Sequence, residues 1–252
     1  MSLVNESEKG YNQLVLRGIA MVCTIFAIAS HTVAPTLRFF SYLEWIAFPI
    51  FAYLLAEGLE NSMSRGLYAA RLFLFAVLSE IPYDLMMSGR IMDPRQQNVI
   101  FTLFIGYLII LMVDVIRVNA DNVILTMAAE VAGIFFGRYL ISGLHSAYPR
   151  FAMYFIMLFY VARRVHYEKW MELIVTLYIA TNLSNQTFAT PKINGLQYDI
   201  SVQFFAVIAL LLIWMYNGKR GPNTLAVRYI SYGFFPVSIL FFWYLAAHGV
   251  RY

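Results

Sequence analysis

Apolar stretches of about 20 residues recur along this chain from Leu14 almost to its end, broken by short polar punctuation. Span length and loop signals place nine helical segments at 14–34, 40–60, 67–87, 98–117, 121–142, 146–163, 167–184, 200–216 and 228–247. The expected fold is therefore all-α, a polytopic helical membrane protein with about nine transmembrane helices. Around "SGLHSAYPR" a re-entrant turn competes with a simple loop between two spans. The run "NQTFATPKINGLQYD", Asn185 to Asp199, is the longest polar stretch and reads as a loop.

Composition agrees with the pattern. Of 252 residues, 61% are hydrophobic and 13% charged, and the mean hydropathy is +0.66. No ordinary soluble domain has that balance. One integral membrane domain over 1–252 is expected, embedded in a lipid bilayer. The first apolar run does not read as a cleaved signal, since Glu6 and Glu8 lead into it and ionisable groups interrupt it. The net charge of +4 is spread over short loops, which speaks of topology and not of nucleic-acid binding. Nine spans put the excess of Lys and Arg on the side of the N-terminus, which predicts a cytoplasmic N-terminus in a bacterial cytoplasmic membrane. The single cysteine, Cys23, lies inside the first span, so no disulfide framework and no cysteine metal site is expected. Walker, G-x-G-x-x-G, H-E-x-x-H and G-x-S-x-G motifs are all missing, and no metal is expected.

Ionisable groups inside spans are costly in hydrocarbon and mark function by default. With alternating spans they fall into two layers. One holds His31, Glu44, Glu80, Asp84, Asn98 and Thr102, and the other holds Arg17, Glu57, Arg71 and Asp114. Arg17 and His31 are 14 residues apart, roughly 21 Å along a helix. Glu80 and Asp84 share a helix face with Pro82 between them, which predicts a polar pocket shared with His31. A histidine beside carboxylates suits general acid–base work. For Glu57 and Arg71, an ion pair that fixes the hairpin stands level with a site role. Such a cluster also suits proton coupling in a transporter or flippase.

The motifs I-A-F-P-x-F-x-x-L-L-x-E-G, R-L-x-x-F-A-x-x-S-E-I-P-x-D and N-V-x-F-T-L occur in that order within 14–118. In them the chain resembles the TraX family. The resemblance implies acyl transfer of the kind that acetylates the amino terminus of conjugative pilin. Acetyl-CoA would be the acyl donor and a peptide amine or envelope glycan hydroxyl the acceptor. "LRGIAMVCTIFAIASH" is similar to the start of polysaccharide O-acyltransferases, which implies His31 as general base and Arg17 near the donor. Arg17, Arg71 and Glu57 would then serve the CoA end. Glu80 or Asp84 would orient His31, and Glu44, Asn98 and Thr102 would meet substrate or oxyanion. Two departures stand out. Ser30 occupies the place of an expected Asp, and Ser238 that of an expected His, which leaves room for a non-catalytic assembly subunit.

Overall fold

The computed structural model describes residues 10–148, 150–183, 186–189, 198–222 and 224–249. Most of the expected loop between Asn185 and Asp199 lies outside the described residues. Nine α-helices run through the described residues: α1 Gln13–Thr32, α2 Glu44–Asn61, α3 Arg65–Ser88, α4 Val99–Ala120, α5 Val123–Gly143, α6 Ala152–Ala162, α7 Glu168–Asn182, α8 Phe205–Trp214 and α9 Leu225–Ala247. A 3-10 turn, Arg38–Leu43, leads into α2. Two short antiparallel strands, β1 Thr187–Ala189 and β2 Asp199–Ser201, precede α8.

Local chemistry sets the helix starts. Asn12, Ser64, Asn98, Asn122 and Thr224 each accept a backbone N–H of the first turn of α1, α3, α4, α5 and α9. Such a cap supplies one of the four N–H partners that a helix lacks at its beginning. Gly89 ends α3 at φ +68°, a left-handed turn that a residue without Cβ adopts freely.

Among the described residues, five segments are long and apolar enough to cross a membrane: Gln13–Thr32, Arg38–Asn61, Val99–Ala120, Val123–Gly143 and Tyr229–Ala247. The other expected spans depart from that rule for separate reasons. At 24 residues, about 36 Å, α3 has the length. It differs in carrying Arg65, Arg71, Glu80 and Asp84, while Leu74, Val77, Leu78 and Ile81 stay exposed. The expected span at 146–163 shortens to the 11 residues of α6, about 16 Å. Nearly all of α6 is buried, with Phe155, Ile156, Phe159 and Tyr160 fully enclosed. A short helix that is apolar all round belongs in an interior, and α6 packs against α2, α4, α5 and α7. At 10 residues α8 is shorter still, and it leans on α2 and α7.

The buried axis of the fold is α2. It contacts α1, α4, α6 and α8, and from Trp45 to Leu59 it keeps only a few positions partly open. By contrast α5 and α9 are mostly exposed and apolar, with Phe135, Tyr139, Val237 and Phe241 facing outward. That is the surface hydrocarbon covers in a membrane protein. Small residues let the inner helices close in. A Cβ placed on Gly106 of α4 would sit 2.2 Å from Ile156 Cδ1 of α6, and one on Gly137 of α5 would sit 2.6 Å from Met153 Sδ.

Gly106→Val should lower stability by about 1–3 kcal/mol, because Ile156 has no free volume to move into. Gly143→Ala, with nothing within 4 Å of the new atom, should not. Thermal unfolding in detergent, followed by tryptophan fluorescence, distinguishes the two.

Candidate functional site

The polar groups collect at the two ends of the bundle. At the end where α1, α3 and α5 begin, Glu57 is 2% exposed. It accepts from Gln13 Nε2 at 2.7 Å and from the Tyr216 hydroxyl at 2.8 Å. The alternative pairing of Glu57 with Arg71 does not form. Arg71 lies exposed on α3 with no carboxylate at ion-pair distance among the described residues. Asp114 is another buried acid at this end. Its oxygens meet Arg65 at 2.9 Å, Arg117 at 2.8 Å and Arg164 at 3.5 Å, and the Tyr160 hydroxyl at 3.0 Å. Glu60 continues the network to Arg163 and Arg164. Three helices are thereby bolted to α4 through one carboxylate and its neighbour. Arg65, Arg117, Arg164, Tyr160 and Tyr216 were not among the expected site residues. Their partnership depends on how helices are turned, which sequence spacing does not carry.

At the opposite end, His31 Nε2 lies 3.8 Å from Glu44 Oε2. The His31 side chain is 53% exposed and that of Glu44 25%. The Tyr148 hydroxyl donates to the same Glu44 oxygen at 2.9 Å. So the acid facing His31 is Glu44 at the start of α2, reached across the 3-10 turn. It is neither Glu80 nor Asp84.

Those two acids have other tasks. Asp84 is buried and accepts the backbone N–H of Asp93 at 2.8 Å, which folds the 89–98 loop back onto α3. Asp93 is in turn bonded to the Arg95 guanidinium at 2.7 Å, and that bond holds its carboxyl well below the usual carboxylate range. Glu80 Oε2 accepts from the side chain of Asn98. Asn98 Nδ2 also donates to the Ala76 carbonyl at 2.8 Å, and its Oδ1 caps α4. Thr102 Oγ1 sits 2.8 Å from Ser146 Oγ and donates to the Ala147 carbonyl at 2.7 Å. Asn98 and Thr102 therefore anchor the α5–α6 connection, and neither faces His31. Ser146 and Tyr148 come from "SGLHSAYPR". The polar break between two apolar runs was the signal, and it marks a connection that turns Ser146 inward against α4 and Tyr148 against α2.

A cavity of about 690 Å³ joins the two ends. Its walls come from α1, α2, α3, α4 and α9 and the 147–148 connection. His31, Glu44, Tyr148 and Tyr83 line one end; Arg17, Tyr68, Ser231 and Tyr232 line the other. Between them the lining is apolar and aromatic, with Phe48, Phe51, Leu72, Phe75 and Phe235. Arg17 donates to Ser231 at 3.2 Å and to Gln13 at 3.2 Å, both neutral, and among the described residues its charge meets no carboxylate directly. Glu80, Asp84, Asn98, Thr102, Glu57 and Arg71 are not part of this lining. At the two divergent positions, Ser30 donates to the Ala27 carbonyl at 2.8 Å and Ser238 to the Phe235 carbonyl at 2.9 Å. Both hydroxyls are spent on their own helices.

Asp114→Asn should destabilise the fold by about 3–5 kcal/mol, the usual result of removing one member of a buried ion cluster. His31→Ala, at an exposed helix end, should leave stability within about 0.5 kcal/mol. Denaturant or thermal unfolding of detergent-purified variants measures both.

No curated protein and no solved structure matches this chain. A family model, TraX protein, matches residues 13–246, which extends the likeness well beyond the motif-bearing 14–118 to nearly the whole chain. This chain is a helical membrane protein of the TraX family.

Proposed function

We propose that this protein is a membrane acetyltransferase. It moves an acetyl group from acetyl-CoA to an amine or hydroxyl of an acceptor exposed at the membrane, a pilin-like peptide N-terminus or an envelope glycan. One observation carries the reading: the His31–Glu44 pair opens on a cavity whose far end holds Arg17, with no carboxylate partner among the described residues. The bacterial cytoplasmic membrane, with the N-terminus inside, is the setting that suits it.

The residues divide the work. With Nε2 turned toward Glu44, the other ring nitrogen of His31 is free to take a proton from the attacking amine or hydroxyl. Glu44 orients the ring and stabilises the imidazolium that forms. Attack on the thioester carbonyl forms the new C–N or C–O bond and breaks the C–S bond. The leaving thiolate takes up the proton that His31 received, so the ring returns to its neutral form. Arg17, with unneutralised charge and a forked set of donors, suits the phosphates of the donor. Exposed and outside the cavity, Arg71 is not assigned to them. Glu44 fills the role that Ser30 leaves open.

A cavity between both ends of the bundle also suits a transporter or flippase, and CoA dependence separates the two. Vesicles bearing the wild type should transfer label from acetyl-CoA to a protein, lipid or glycan fraction. His31→Ala at equal abundance should lose about 100-fold or more of that rate, and Glu44→Gln should lose a large part of it. Equal label in wild type and His31→Ala removes His31 from the chemistry. No CoA-dependent label with several envelope acceptors offered favours transport or assembly.

A further inference from the structure

Tyr148 belongs to no helix, yet its ring is partly buried against the core. Its backbone is left-handed at φ +60°, and three residues earlier His145 has φ +51°. A bulky residue with a Cβ holds that conformation at a cost of about 1–2 kcal/mol, so the surroundings must impose it. They do. The Ser146 hydroxyl donates to the Asn98 carbonyl at 3.2 Å, Thr102 donates to the carbonyl of Ala147, and Gln97 N–H donates to the His145 carbonyl at 3.1 Å. The ring lies against Phe48, Phe151 and Trp45, with centroids 5.0, 5.2 and 5.9 Å away. Packing of that kind would be served equally by phenylalanine. The hydroxyl is directed at Glu44 Oε2, the same oxygen that faces His31.

We propose that Tyr148 is the positioning residue that fixes Glu44 against His31. The Glu80–Asn98, Asn98–Ser146, Thr102–Ser146 and Thr102–Ala147 contacts hold the stretch from Ser146 to Tyr148 where the tyrosine hydroxyl reaches that carboxylate. The contact stands on geometry alone; its consequence for rate rests on the acyl-transfer reading. Without the hydroxyl, Glu44 has one anchor fewer at the mouth of the cavity and spends less time facing the ring.

The test is a double-mutant cycle with two readouts, on full-length protein in vesicles. For acetyl transfer, Tyr148→Phe should lower kcat about tenfold, the size of one lost hydrogen bond, with KM for acetyl-CoA unchanged. Glu44→Gln should lower it further, and the double variant should match Glu44→Gln alone, because Tyr148 acts only through Glu44. The second readout needs no activity. Carbethoxylation of His31 by diethylpyrocarbonate, read by peptide mass spectrometry at neutral pH, should speed up severalfold in Glu44→Gln and in Tyr148→Phe. The double variant should again show no added effect. Wild-type His31 reactivity in Tyr148→Phe, or losses that multiply in the double variant, overturns the proposal. A lowered unfolding temperature with unchanged His31 reactivity does so too, leaving Tyr148 a packing residue. If the reactivity pattern holds while wild type transfers no acetyl group, the transferase reading falls and the positioning role stands.

Discussion

Asp114, Glu57, Asp84 and Glu172 are carboxylates almost wholly removed from solvent, and each had to find its partners in another part of the chain. Asp114 draws arginines from α3, from α4 and from the residues just after α6. Glu57 on α2 binds the start of α1 and the residue after α8. Asp84 holds the loop that follows its own helix, and Glu172 on α7 accepts from Trp214 Nε1 on α8 at 2.6 Å. In an apolar setting an unpaired carboxylate costs several kcal/mol, whereas apolar packing between helices discriminates little between partners. These acids therefore set which helices meet and at what height. The aromatic contacts fill in around them.

The same demand shapes the cavity. Polar side chains that are satisfied by neighbouring helices withdraw from its wall, and those left on the wall sit at its two ends. Arg17 and His31 belong to one continuous helix, so their separation is held by backbone geometry and not by loops. Glu44 starts α2, a largely buried helix, which ties the acid of the pair at the upper end to the core beneath it. Acid–base chemistry at a membrane surface benefits from that arrangement, since the reacting groups need not be ordered anew for each turnover.

Much of this was legible before any coordinates. Span length and loop signals placed all nine helices, because apolar runs and the polar breaks between them are local properties of the chain. The two polar layers were legible too, from counting residues along alternating segments. Which acid faces His31 was not. Glu80 and Asp84 share a helix face, and that much is correct, but the face turns toward Asn98 and the 89–98 loop. Rotation about the helix axis is fixed by tertiary packing and leaves no trace in spacing. Nor does sequence distinguish a short interior helix such as α6 from a membrane span, since both are continuous apolar runs. Ser146 and Tyr148 lay in a stretch for which a re-entrant turn and a simple loop stood level, and the contacts of Asn98 and Thr102 that draw Ser146 inward are not visible in sequence spacing.

The start of α1 is stitched to a point more than 200 residues later. Tyr11 pairs with Tyr216, Gln13 N–H reaches the Lys219 carbonyl at 2.8 Å, and the Tyr216 hydroxyl completes Glu57. A ribosome delivers α1 and α2 to the membrane long before α8 exists. Through most of synthesis, then, the lower end of the bundle stands open and Glu57 has only Gln13 for company. The bundle closes when the α8–α9 link arrives and strands the first and last thirds together. Assembly order is thereby written into the fold, with the earliest helices waiting on the latest ones for their final shape.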